Sequence, residues 1–103
     1  MDFPTSAEIQ YYDTPLPNGQ RCFVTSQRVL LVGPGAAMSH PLANLLNAYA
    51  QREQGFLGPP CVFLMSKALF MTAGSDIKIV CYTLSIAQEL AEVINKAIAQ
   101  TRK

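Results

Sequence analysis

Charge is scarce in this chain. Only 15% of its 103 residues are Asp, Glu, Lys or Arg, against about a quarter in typical domains. Eight basic and seven acidic side chains leave a formal net charge of +1. The strong basic bias of a nucleic-acid binder is therefore missing, and no window holds a polybasic membrane-binding patch. Cysteine is sparse as well. Cys22, Cys61 and Cys81 lie far apart, are odd in number and form no Cys-x-x-Cys pair. A disulfide framework is not expected from that spacing, and reduced, buried thiols are. No long apolar run exists. The most apolar stretch, residues 61–71, is interrupted by Ser66 and Lys67 and follows Pro59-Pro60, so it is too short to span a bilayer. The start, Met1-Asp2-Phe3-Pro4, lacks the basic and apolar regions of a signal peptide, and a cytoplasmic location is expected.

What is present points to a folded domain. Half of the residues are hydrophobic, which favours a globule over disorder. A chain of this length makes one domain over residues 1–103 and buries about two-thirds of its unfolded surface. With so little charge, part of the remaining surface is expected to be covered by a partner.

Along the chain, β elements dominate. Residues 8–13 read as a short edge strand. Pro15, Pro17 and the pair Asn18-Gly19 then mark a turn. Residues 20–25 and 28–32 form a hairpin around Ser26-Gln27. Gly33-Pro34-Gly35 ends it, and residues 36–40 read as a further short strand. Pro41 leads into one helical turn over residues 42–46. Residues 47–54 are ambiguous, with Ala48 and Ala50 favouring helix by propensity. After the break at residues 55–60 come two apolar β-type runs, 61–65 and 68–72, either one strand or two. Residues 73–76 read as a turn. Residues 77–84 are the cleanest strand, and both of its faces are apolar enough to be covered.

The last element is an amphipathic helix over residues 85–102. Ser85 with Gln88 resembles a capping box. Ile86, Leu90, Val93, Ile94, Ala97 and Ile98 recur at helical spacing. Glu92 and Lys96 make a favourable i,i+4 pair. Such a stripe must pack on something, and the preceding strands are the obvious surface. Strands followed by one helix give an α+β class.

The order of elements and several local motifs resemble the pleckstrin-homology-like superfold. Residues 23–31, Phe-Val-Thr-Ser-Gln-Arg-Val-Leu-Leu, resemble the Val-Thr-x-x-Arg hairpin of small bacterial PH-like domains. His40-Pro41-Leu42-Ala43-Asn44-Leu45 is similar to the segment that follows it. Thr72-Ala73-Gly74-Ser75-Asp76 is similar to the turn before the last strand, and residues 89–98 to the family's ending. The likeness spans residues 20–99. It implies a bent antiparallel sheet of about six to seven strands closed by a C-terminal amphipathic helix. It implies no activity. Members often carry an apolar insert near the middle, and residues 55–65 are too short for one.

Candidate chemistry is thin. Ser39 precedes His40, the single histidine, and Asp13 or Asp76 would complete a hydrolytic trio. Neighbours in a strand point to opposite faces, which works against proton transfer between them. No metal-ligand spacing is present, and no cofactor is expected. Gly33-Pro34-Gly35 lacks the Gly-Lys-Ser/Thr ending of a phosphate loop. Arg21, Arg28, Lys67 and Lys78 form a scattered basic set. Some PH domains bind phosphoinositide headgroups with basic residues at the open end of the first hairpin, which Arg21 and Arg28 flank. Arg21, Arg28 and Lys67 are therefore candidates for an anionic ligand, with solvated strand residues as the plainer reading. Tyr11, Tyr12, Tyr49 and Phe56 fall in edge or irregular regions and are candidates for an interface or for lids on the core. The sequence thus favours a non-enzymatic domain for protein interaction or assembly, by self-association or peptide pairing along a sheet edge. Lipid-headgroup or other anionic-ligand binding is the alternative, and a small hydrolase the second.

Overall fold

The first reversal of the chain shows how local chemistry sets the fold. Strand β1 (Gln10–Pro15) runs antiparallel to β2 (Arg21–Thr25). Between them Gly19 adopts φ +83°, a conformation that side chains with a Cβ rarely tolerate. Asn18 Oδ1 accepts the Gln20 N–H at 3.2 Å, an Asx-type brace for the turn. The computed structural model describes residues 7–52, 58–66 and 77–101.

The next turn is built around Thr25, which is fully buried. Its hydroxyl accepts the N–H groups of Gln27 at 3.1 Å and Arg28 at 3.2 Å, and hydrogen-bonds the Glu8 carboxylate. Glu8 in turn receives the Arg28 guanidinium, Nε at 3.1 Å and Nη2 at 2.9 Å. Strand β3 (Arg28–Gly33) follows and pairs with β2. A two-residue loop, Pro34-Gly35 with Gly35 at φ +73°, returns the chain as β4 (Ala36–Pro41). These strands make a four-stranded sheet in the order β1-β2-β3-β4.

At Pro41 the chain leaves this sheet through a short 3-10 turn, Leu42–Asn44. Leu42 is buried and its N–H donates to Gln27 O at 3.0 Å, which pins the turn to the first sheet. Strand β5 (Leu45–Arg52) then pairs with β6 (Pro60–Ser66), and β6 with β7 (Ile77–Val80). All pairings are antiparallel, so the class is α+β: seven strands in two sheets among the described residues, plus one helix. Among the described residues the strands fall into two hydrogen-bonded sheets.

Helix α1 (Leu84–Thr101) closes the fold. Ala87, Leu90, Ala91, Ile94, Ala97 and Ile98 are its buried residues. They join Cys22, Val24, Val29 and Leu31 of the first sheet and Val62, Leu64 and Ile79 of the second in one core cluster. The helix packs mainly along β5.

Three sequence expectations need correction. The helical turn expected over residues 42–46 covers only Leu42–Asn44, and residues 47–52, which the sequence left open between helix and strand, belong to strand β5. Ala48 is buried under α1, and its small side chain lets the helix approach. The strand expected over residues 77–84 ends at Val80. Its faces are also unequal: Ile79 is buried while Lys78 is exposed. The helix cap is Thr83, whose hydroxyl accepts the Ile86 N–H at 3.1 Å, and not Ser85. Helical spacing fixes the stripe, but a hydroxyl two residues upstream can cap the same stripe. The run at 68–72, the turn at 73–76, Lys67, Asp76 and Phe56 lie outside the described residues.

Candidate functional site

Every open sheet has edges, and an edge strand presents unpaired N–H and C=O groups to any strand that meets it. Among the described residues the outermost strands are β1, β4, β5 and β7. Three of them carry devices that obstruct pairing.

On β1 the register shifts between Gln10 and Tyr12, and the strand ends in Pro15, which has no N–H. On β5 the obstruction is a helix side chain. Asn95 Oδ1 accepts the Ala48 N–H and Asn95 Nδ2 donates to the Ala48 carbonyl, each at 2.8 Å. The amide thus occupies the position a neighbouring strand residue would take. Strand β7 is four residues long and includes exposed Lys78. Short length and lysine both blunt an edge.

Strand β4 has no such device before its final proline. Ala36-Ala37-Met38-Ser39-His40-Pro41 contains no Asp, Glu, Lys or Arg, and all of it is exposed except His40, which is half-buried. Met38 is 53% exposed. The direction of its backbone groups follows from the register. Gly33 and Ala36 close the two-residue loop as a hydrogen-bonding pair. At the other end Leu42 donates to Gln27 O. Alternation between these points turns Ala36, Met38 and His40 toward β3, and turns Ala37, Ser39 and Pro41 outward. Ala37 and Ser39 therefore each offer an outward donor and acceptor.

The sequence candidates sit elsewhere or are already engaged. Arg21 pairs with Asp13 at 3.0 Å. Arg28 grips Glu8, whose side chain is almost wholly buried, and reaches Ser39 Oγ at 3.4 Å. Arg21 lies opposite Val32, four residues along β3 from Arg28, or roughly 13 Å at about 3.3 Å per residue. The fold does not bring the two guanidinium groups together.

Tyr11 is partly exposed and its hydroxyl donates to Gln100 Oε1 at 2.8 Å. Tyr12 is half-buried against the core. Burial, with a contribution from Glu89, raises its hydroxyl pKa. Tyr49 stacks on Phe63 with centroids 5.3 Å apart.

Ser39 and His40 pair with Leu30 and Val29 of β3, on opposite faces of the sheet. His40 Nε2 has no hydrogen-bond partner among the described residues, and burial lowers its pKa. Cys22, Cys61 and Cys81 are all buried. Burial, with the nearby Cys81 sulfur and Asp13, pushes the Cys22 thiol up to about 12. Burial and Cys61 push Cys81 up to about 11. These groups stay protonated near neutral pH and make poor nucleophiles. No group of three or more His, Cys, Asp or Glu among the described residues is placed to hold a metal ion. No helix among them is long and apolar enough to cross a membrane.

A surface hollow of about 540 Å³ runs beside β5 and α1 past Ala50, Ala91 and Asn95. Its charged lining is self-satisfied, since Glu92 and Lys96 pair at 3.1 Å.

Comparison with family models, curated proteins and solved structures gives no match. The physical case for a site therefore rests on β4. Sequence reading found this strand but not Met38 or Ser39 as its exposed features. The available signal was five uncharged residues between a Pro-Gly turn and a proline.

Proposed function

We propose that the chain is a non-enzymatic PH-like domain acting as a protein-interaction or assembly module that accepts a partner strand on β4. Two antiparallel sheets closed by a C-terminal helix are compatible with the PH-like arrangement that the sequence resembles. The observation that carries the reading is the contrast between edges. Strand β4 is uncharged and exposed, whereas β1, β5 and β7 are interrupted, clamped or short. Strand addition supplies affinity through main-chain hydrogen bonds. Three buried cysteine thiols support a reducing, cytoplasmic setting. The headgroup reading has less support, because Arg21 and Arg28 are separated and each already meets a carboxylate.

Position-specific photocrosslinking in producing cells tests the reading. A photoreactive residue replaces Met38 in one variant and exposed Gln51, on another sheet, in a second. A discrete adduct from position 38 that is absent from position 51, and is lost when Ser39→Pro is added, is the expected result. No adduct from position 38, or equal adducts from both positions, would overturn it.

A further inference from the structure

Resting on that reading, we infer that the strand accepted by β4 is β4 of a second copy of this chain, paired antiparallel about a two-fold axis through Met38. The register follows from which groups point outward. Placing Met38 opposite Met38 of the second copy sets Ala37 opposite Ser39 and Ser39 opposite Ala37. Both are outward-facing residues, so each pair exchanges two backbone hydrogen bonds.

Neighbouring registers are poorer. A shift one way centres the pair on Ser39 and sets Ala37 against Pro41, which has no N–H, so each of those two pairs makes one bond instead of two. A shift the other way runs Ser39 into the Pro34-Gly35 turn, where Gly35 has φ +73°.

Side chains agree with this register. Directly opposed residues in an antiparallel pair share a face. His40 then faces Ala36 of the second copy, Met38 faces Met38, and Ala37 faces Ser39. No pair sets two bulky rigid groups against each other. With no charge in β4, the two-fold axis sets no like charges against each other. Each four-stranded sheet then continues into its copy. A six-residue strand pair buries well under the roughly 1,200–2,000 Å² of standard stable interfaces. The dimer is therefore weak, with a dissociation constant on the order of micromolar or higher.

Cysteine trapping tests the register. In the non-hydrogen-bonded pair at the axis the two position-38 Cα atoms lie about 4.5 Å apart, within disulfide reach. Met38→Cys is expected to give a covalent dimer under mild oxidation. Ala37→Cys, whose copies lie beyond about 7 Å, is not. Cys22, Cys61 and Cys81 are buried and do not compete. In parallel, light scattering of the unmodified chain is expected to show concentration-dependent dimers. Ser39→Pro removes an outward donor and leaves the β3 ladder intact, and should weaken dimerisation about tenfold or more. A chain that stays monomeric at millimolar concentration, or equal trapping at positions 37 and 38, overturns the inference. If position 38 crosslinks in cells to a protein of another mass while the pure chain stays monomeric, this inference fails and the strand-addition reading survives.

Discussion

His40 shows how one side chain couples pH to stability. Its Nε2 is shut off from solvent with no hydrogen-bond partner among the described residues. Burial lowers its pKa below the ordinary histidine value of 6.5, because charging the ring there costs solvation. The native state therefore binds fewer protons than the unfolded state below about pH 6.5. Stability from keeping this ring neutral is complete above that pH and is lost as pH falls toward the native-state pKa. The urea midpoint is expected to drop between about pH 7.5 and about pH 5, and His40→Leu should flatten that part of the profile. An unchanged slope in His40→Leu would show that other groups govern acid sensitivity.

At the scale of elements, Asn95 does two jobs with one amide. It satisfies Ala48 N–H and C=O at 2.8 Å each, and it bars a foreign strand from β5. Asn95→Ala is expected to cost about 1–2 kcal/mol through the lost bonds and to increase aggregation, read by urea titration and light scattering. Asn95→Asp should be at least as harmful, since a carboxylate would face the Ala48 carbonyl. If Asn95→Ala matches the parent in both assays, water replaces the clamp at no cost.

How far the sequence revealed these elements depended on range. Helix α1 was legible because its burial repeats locally, from Ala87 through Leu90, Ile94 and Ile98. The first hairpin was legible from its turn residues. Strand β5 was not, because Ala48 is small for a reason 47 residues away, the approach of Asn95. Propensity has no access to such a cause. The candidate site was only half legible for the same reason. Residues 36–40 read as a strand, yet its status as the open edge depends on what protects the other edges.

For the whole molecule the decisive feature is that one core serves both sheets. The Cα radius of gyration is 13.1 Å, close to the ~13 Å of 100 residues folded as one unit. Ile94 is fully buried in the cluster that joins α1 to β2, β3 and β6. Ile94→Ala is therefore expected to cost about 2–5 kcal/mol, a large part of the 5–15 kcal/mol typical of a domain. The loss should appear in both sheets together. Amide exchange in β2 and β3 should speed up by the same factor as in β6, because opening either sheet exposes the shared core. Sheets that opened independently would instead leave β2 and β3 unchanged. The outward amides of Ala37 and Ser39 offer an internal contrast. They take no part in the β3 ladder, so in dilute monomer they exchange fast with or without the Ile94 substitution. Their protection should rise with protein concentration alone, which separates pairing at the β4 edge from the stability of the core behind it.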